Sequence, residues 1–313
     1  MSPNGPNPHQ GLYVRSTNVW RTQQSAQSLL QGMFPSRSRD SDAIVSQVVY
    51  PDHAETMYAP LDRCPRLTTV RHAIREESVW QDFTKHVAEL RGTLNDILAT
   101  HDNPVYQDRL GRFHDVVMTL HCHNKAMPSN GGASVTKDLR KELMKFANWE
   151  HIYPRRDSPH YQEYLSLGIG FFIHELAKSW EKAGLSNGER VAGVSADQRA
   201  AKHRDYPEDA NAPLMEIYSG HDDTLMFLAG VLGQSDMEWP PYASQLIFEF
   251  WEKSGETLVR VLYNGSPLSS PHCNFEACPM EKFEEIMRRY ITNDPKRCGA
   301  KSFSDSAGPS FEK

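Results

Sequence analysis

Twice in this chain a short strand pattern runs directly into a helix pattern, an order that belongs to α/β proteins and marks where they place their chemistry. In the later stretch, Leu214 to Tyr218 mixes apolar and β-favouring residues after Pro213, Gly220 loosens the backbone, and Asp222 or Asp223 is placed to cap a helix. Leu225, Leu228, Ala229 and Leu232 then recur at i, i+3, i+4 and i+7, and Gly233 ends the run. His221 thus falls beyond the carboxyl end of a strand and at a helix N-terminus. Free N–H groups there attract an anion, and the adjacent Asp222 can hold or give a proton. The dipeptide alone is more readily read as a capped turn, so a second stretch is needed to shift that balance.

That stretch is Leu12-Tyr13-Val14-Arg15-Ser16-Thr17-Asn18-Val19-Trp20-Arg21-Thr22, a short strand, a Ser/Thr/Asn cluster and a helix to about Met33 that Phe34-Pro35 ends. Arg15 takes the position on its strand that His221 takes on the other. With the two strands as parallel neighbours, a guanidinium, an imidazole and a carboxyl converge above the sheet edge, which suits a phosphate monoester.

At these two stretches the chain resembles the histidine acid phosphatase family, in particular its lysophosphatidic acid phosphatase branch. Tyr13 to Asn18 with Arg21-Thr22 matches the family's second phosphate-pocket motif, and Ser219-Gly220-His221-Asp222-Asp223-Thr224-Leu225 matches its His-Asp motif. The similarity extends through Trp239-Pro240-Pro241-Tyr242 and the Cys273 to Cys278 loop to about Cys298. It implies a three-layer α/β/α fold with a mainly parallel sheet and an inserted helical cap. Family members open with Arg-His-Gly-x-Arg, whose histidine is the nucleophile. No such sequence occurs here, and Met1 to Gln10 is rich in Pro, Asn, Gly and Gln. The expectation is a truncated form lacking the nucleophile strand and the helix after it.

Arg71-His72-Ala73-Ile74-Arg75 has a similar Arg-His-x-x-Arg spacing. Ala73 replaces the tight-turn glycine, however, and Glu76-Glu77 would set two carboxylates beside a dianion. A solvated helix start, with Ser78 as cap and a stripe from Val79 to Leu94, is the better reading of that stretch. His72 is therefore a decoy rather than the nucleophile.

The formal net charge of −6 and the absence of a basic stripe interleaved with aromatics leave no case for nucleic-acid binding. No apolar run approaches membrane-spanning length, and mean hydropathy is −0.61. No basic-then-apolar leader pattern is present, so a mitochondrial or secretory address would lie upstream of Met1. Of the five cysteines, only Cys273 and Cys278 form a close pair, too few for a zinc framework. In relatives from oxidising compartments that loop is bridged, and the odd count leaves at least one thiol free, so the redox compartment stays open. Cys122 reads as an inert buried thiol.

The domain expectation is a first part of the α/β core at 1–50, a helical lid at 51–159, the rest of the core at 160–298, and a disordered tail at 299–313. Helix patterns span Val79 to Leu98, Tyr106 to Lys125 and Thr136 to Trp149 in the lid. His114, His121 and His123 read there as structural or half-buried side chains, since residues two apart face away from each other on a helix. Tyr161 to Trp180 reads as a long helix returning to the core, and Ser186 to Pro213 as a solvated loop. Alternation at Leu246 to Phe250 and Leu258 to Leu262 around Lys253-Ser254-Gly255-Glu256 reads as a hairpin. Pro279 opens a last helix carrying Glu284–Arg288 and Glu285–Arg289 pairs.

By the resemblance, Arg15 binds the phosphoryl oxygens, His221 contacts them, and Asp222 protonates the leaving alcohol. No metal or cofactor is implied, because guanidinium and imidazolium groups neutralise the charge. Lysophosphatidic acid or a similar lipid phosphomonoester is the implied substrate. Two other readings stand: a non-catalytic phosphate-binding protein, and a metal-dependent His-Asp phosphohydrolase, against which the strand-turn setting of His221 speaks. In a protein carrying the full motif set, Arg15→Ala or His221→Ala is expected to cut turnover severely while His72→Ala changes little. Equal, mild effects in a phosphatase assay would remove the assignment.

Overall fold

The computed structural model describes residues 11–35, 37, 46–107, 109–185 and 213–299. In chain order the elements begin with β1 (Leu12–Ser16), α1 (Trp20–Met33), β2 (Val48–Val49), α2 (Pro65–Glu76), α3 (Ser78–His86), α4 (Ala88–Leu98) and α5 (Leu110–Cys122). There follow β3 (Ser129–Asn130), β4 (Ala133–Ser134), α6 (Lys137–Arg156), α7 (Tyr161–Lys182), β5 (Met215–Ser219) and α8 (Asp222–Leu232). The last are β6 (Leu246–Lys253), β7 (Glu256–Tyr263), β8 (Ser266–Pro267), β9 (Cys278–Pro279) and α9 (Met280–Arg288). The described residues fall into two compact units, one within Met1–Leu67, Leu165–Asp236 and Pro240–Lys313, the other within Thr68–Tyr164 and Met237–Trp239.

In the first unit β1 is the middle of a parallel sheet of order β2-β1-β5, with Val14 opposite Ile217 and Arg15 opposite Tyr218. Strand alternation then gives the sheet two different faces. Leu12, Val14, Met215 and Ile217 point one way and pack on Ala26 and Leu30 of α1. Tyr13, Arg15, Glu216 and Tyr218 point the other way, toward α7, where Phe172 meets Tyr218 edge-on at 5.2 Å and Ser179 hydrogen-bonds Glu216. Helix, parallel sheet and helix are thus stacked in three layers. Gly168 and Gly170 lie where α7 is approached closely, since a Cβ on either would overlap the Phe227 ring or the Tyr290 carbonyl.

The hairpin forms around Ser254 (φ 55°) and Gly255 (φ 80°), a two-residue turn of the kind that matches strand twist. Phe248, Phe250 and Phe283 surround Trp180 of α7 at 5.3 to 5.9 Å. Both ion pairs anticipated on α9 are present. Two disulfides staple the first unit. Cys273–Cys278 closes its short loop, whereas Cys64–Cys298 joins positions 234 residues apart with Cα atoms at 4.4 Å. The longer bridge lacks any close spacing that sequence could reveal, and by loop-closure entropy it contributes on the order of 5 kcal/mol.

The second unit is helical, with a core of Leu90, Leu94, Ile97, Leu110, Phe113, Val117, Leu143 and Ala147. Phe83 and Tyr153 each stack on Trp149, with ring centroids 3.9 and 4.7 Å away.

Several expectations need correction. The Val79 to Leu98 pattern is two helices, because Val87 leaves helical geometry between α3 and α4, and Glu77 rather than Ser78 is the N-cap. The helix expected to stop at Trp149 continues through Pro154 to Arg156, capped by Thr136. The sequence from Ala43 to Tyr50 also has a strand pattern, but among the described residues there only Val48–Val49 pairs, with 43–45 outside the described residues. Cys122 is free and exposed rather than buried, at the end of α5 where its side chain leaves the helical core. The loop expected at 186–213 and the tail at 299–313 lie, but for Pro213 and Gly299, outside the described residues.

Glu150 and His151 are buried side by side on α6. Burial pushes the Glu150 carboxyl up to about 7, against the Gly111 N–H that donates to it at 3.1 Å and the nearby Arg109. Burial also holds His151 well below the ordinary imidazole range, aided by Arg155, Arg109, His114 and Arg112, while its ring edge meets Trp239 at 3.6 Å. Because the Glu150 value is raised in the fold, this group's penalty is absent below the ordinary carboxylate value and grows as pH rises through about 7. His151 acts oppositely, costing stability as pH falls below the ordinary imidazole value. Glu150→Gln is therefore expected to stabilise this unit at pH ~8 by up to about 3 kcal/mol and to give no gain at pH ~4. Hydrogen exchange of α5 and α6 amides reads it; equal protection at both pH values would contradict it.

Candidate active site

The carboxyl ends of β1 and β5 are held in register one step beyond the ladder, where the Thr17 N–H donates to the Ser219 carbonyl at 3.2 Å. Ser219 Oγ then donates to the Thr22 carbonyl at 2.7 Å, tying the end of β5 to the first turn of α1. The Thr22 hydroxyl sits among Ser16 Oγ (3.0 Å), Thr17 Oγ1 (2.7 Å) and the Val19 carbonyl (2.8 Å). Small hydroxylated residues let the two strand ends meet with their hydroxyl groups hydrogen-bonded to one another or to backbone carbonyls.

His221 is the N-cap of α8; its N–H donates to Thr224 Oγ1 at 3.0 Å, and Thr224 Oγ1 donates to the Met57 carbonyl at 2.5 Å. Asp222 is thus the first helical residue rather than the cap, with its exposed carboxylate accepting the Asp223 N–H at 2.9 Å. The His221 ring lies between Thr17 Oγ1, 3.1 Å from Nε2, and the Arg21 guanidinium, 3.4 Å from Nδ1. Tyr58 meets it edge-on at 5.6 Å. A guanidinium only donates, so Nδ1 must accept and the proton belongs on Nε2, donating to Thr17. Burial lowers the imidazole pKa, and Arg21 lowers it further against the opposing pull of Asp222, Asp223 and Glu55.

The family model of the histidine phosphatase superfamily (branch 2) matches residues 3–264. The chain belongs to this superfamily. Among relatives, it is 26% identical over 303 residues to prostatic acid phosphatase of Homo sapiens, covering 91% of this chain and 70% of that protein. It is 23% identical over 278 residues to "Counting factor 60" of Dictyostelium discoideum, covering 88% of this chain but 58% of that protein. The phytase of Citrobacter braakii is a structural neighbour, with a TM-score of 0.58 at 14% identity over 92% of this chain and 80% of that one, a likeness of fold.

In this histidine phosphatase chain the structure brings His221, Asp222, Thr17 and Arg21 together. Arg15 does not stand level with His221, because the register pairs it with Tyr218, three residues earlier. Its side chain, 1% exposed, turns into the α7-facing side of the sheet. There NH2 donates to Glu55 (2.7 Å) and Thr56 Oγ1 (3.1 Å), NH1 donates to Glu175, and the guanidinium lies 4.0 Å over the Tyr50 ring. Glu55 in turn accepts the Thr56 and Met57 N–H groups, both at 2.7 Å. His72 lies on an exposed face of α2, in the other unit. Among the described residues no three His, Cys, Asp or Glu side chains are grouped to share a metal ion.

Arg21 and Thr17 belong to the motif stretch, and their four-residue spacing across a strand–helix turn is a usable signal that they face one point. Glu55 and Tyr58 carry no such signal, since only the folded chain brings them to β1 and α8. Glu55 is fully buried, so Glu55→Gln leaves Arg15 without its buried counter-charge. A loss of about 3 kcal/mol is expected, read as a lower urea midpoint; an unchanged midpoint would show that Glu175 alone suffices.

Proposed function

We propose that this chain carries the phosphate pocket of an acid phosphatase-type phosphomonoesterase. What carries the reading is His221 at the carboxyl end of β5, facing Arg21 and followed by Asp222, in a chain of this superfamily. The exposed Asp222 carboxyl is the proton donor for the leaving alcohol, and the His221 ring, when protonated at Nδ1, is a hydrogen-bond donor to a phosphoryl oxygen. In the full reaction a histidine nitrogen forms a bond to phosphorus as the ester P–O bond breaks. The proton of Asp222 goes to the departing oxygen, and water then cleaves the phosphohistidine.

The chain has no Arg-His-Gly-x-Arg sequence to supply that nucleophile. These residues taken alone therefore bind phosphate without turnover, the behaviour of an inactive form. Arg15 serves as a phosphoryl ligand only by exchanging Glu55 or Glu175 for the substrate. For the alcohol, a lipid phosphomonoester such as lysophosphatidic acid is the preferred class: Trp20, 69% exposed, presents an apolar ring on the same first helical turn as Arg21. A metal-dependent His-Asp hydrolase is the weaker reading, because His221 is engaged at both ring nitrogens.

Inorganic phosphate is expected to raise the thermal midpoint of the protein at pH ~5.5, with the rise lost in His221→Ala. Rapid hydrolysis of an aryl phosphate by these 313 residues would refute the proposed inactivity, and no phosphate-dependent shift would refute the pocket.

A further inference from the structure

The turn that joins β7 to β8 carries a sequence with no part in the phosphate pocket. Asn264-Gly265-Ser266 is the only Asn-x-Ser/Thr triplet in the 313 residues, and its middle residue is not the proline that would block it. Tyr263 pairs with Ser266, so Asn264 (φ 50°) and Gly265 (φ 85°) form the two-residue tip of a hairpin. Asn264 to Pro267 are all exposed.

The Asn264 amide is held at that tip without being used up. Its backbone N–H donates to the Gln245 carbonyl at 3.0 Å, its Oδ1 accepts the Gln245 N–H at 3.0 Å, and its Nδ2 donates to Ser244 Oγ at 3.2 Å. Nδ2 has two hydrogens, so one is left without a partner among the described residues. A glycosylated amide keeps its carbonyl oxygen and one N–H, the two side-chain groups that the turn engages. The folded turn therefore accommodates a sugar on Nδ2 with both contacts in place.

The cysteines supply an independent observation. Cys64–Cys298 and Cys273–Cys278 are both bridged, and structural disulfides belong to oxidising compartments, the setting of N-glycosylation as well. Cys278 pairs with Val259 of β7, so a bridge and the triplet share one strand.

We infer that Asn264 is an N-glycosylation site and that the chain matures in an oxidising secretory compartment. The inference does not rest on the phosphatase reading. The co-reactant is an oligosaccharide carried on a polyprenyl diphosphate and handed over by a transferase. The bond from the sugar's anomeric carbon to the diphosphate oxygen breaks, a bond from that carbon to Nδ2 forms, Nδ2 loses a proton, and the lipid diphosphate leaves. Ser266 supplies the hydroxyl that the transferase reads two residues on. Pro267 restricts Ser266 to extended backbone and so hinders the bend that brings this hydroxyl toward the amide, which makes transfer incomplete.

Protein isolated from the cells that make it is to be treated with peptide N-glycosidase in heavy-oxygen water and its peptides analysed by mass spectrometry. The enzyme converts a glycosylated amide to a carboxylate, so heavy oxygen is expected at residue 264. Asn130-Gly131, a second Asn-Gly turn with Gly132 in place of the hydroxyl residue, is expected to stay unlabelled. Asn-Gly pairs also deamidate unaided, so a sample kept without enzyme is expected to lack the label. Ser266→Ala, which leaves the Asn264 contacts intact, is expected to lose it. Pro267→Ala is expected to raise the labelled fraction, and an unchanged fraction would overturn the part given to Pro267. An unlabelled residue 264 in the unaltered protein, a label that persists in Ser266→Ala, or equal labelling without enzyme would overturn the site.

Discussion

Parallel pairing of β1 with β5 in a single register is the constraint on which the candidate site depends. Opposing Ser16 to Ser219, and adding the Thr17 to Ser219 hydrogen bond beyond it, sets two strand ends level and starts two helices from neighbouring points. A slip of one residue would exchange the two faces of β1, sending Arg15 into the apolar layer under α1 and Val14 into the ion pairs beneath α7. The buried charge of Arg15 therefore enforces register, because the wrong face offers it no carboxylate.

The cluster around Arg15 combines a cost with a benefit. Desolvating a guanidinium and two carboxylates is unfavourable, and hydrophobic replacements of such clusters are often as stable. What the cluster supplies is position. Glu55 reaches Arg15, two backbone N–H groups and, through the Glu55 carbonyl, Arg63 at 2.7 Å. This fixes the 55–58 segment, which sets the Met57 carbonyl against Thr224 and Tyr58 against His221. A network that looks like stability is thus also the support of the site.

Within the helical unit, buried ionisable groups follow the same physics without such pairing. Glu150 has backbone donors and His151 has an aromatic edge, so burial moves each toward its neutral form. A core built in this way responds to pH through two groups of opposite sign rather than one.

Much of the architecture was legible in the sequence because it depends on local rules. Strand-to-helix changes of period at Leu12 to Met33 and Leu214 to Leu232, the Ser254-Gly255 turn, and the salt-bridge spacing of the last helix all follow from residues near in sequence. The sequence by itself also determined the family and the His221-Asp222 pair, since these reside in contiguous motifs. Only the tertiary structure decided which arginine faces His221. Arg15 and Arg21 stand six apart in one motif, and their different fates arise from strand alternation, parallel register and the arrival of Glu55 and Glu175 from distant segments. It likewise decided that Val87 divides a continuous helical pattern and that Cys64 meets Cys298 across 234 residues. Such outcomes depend on which segments meet, and no local pattern of residues encodes a partner that lies so far along the chain.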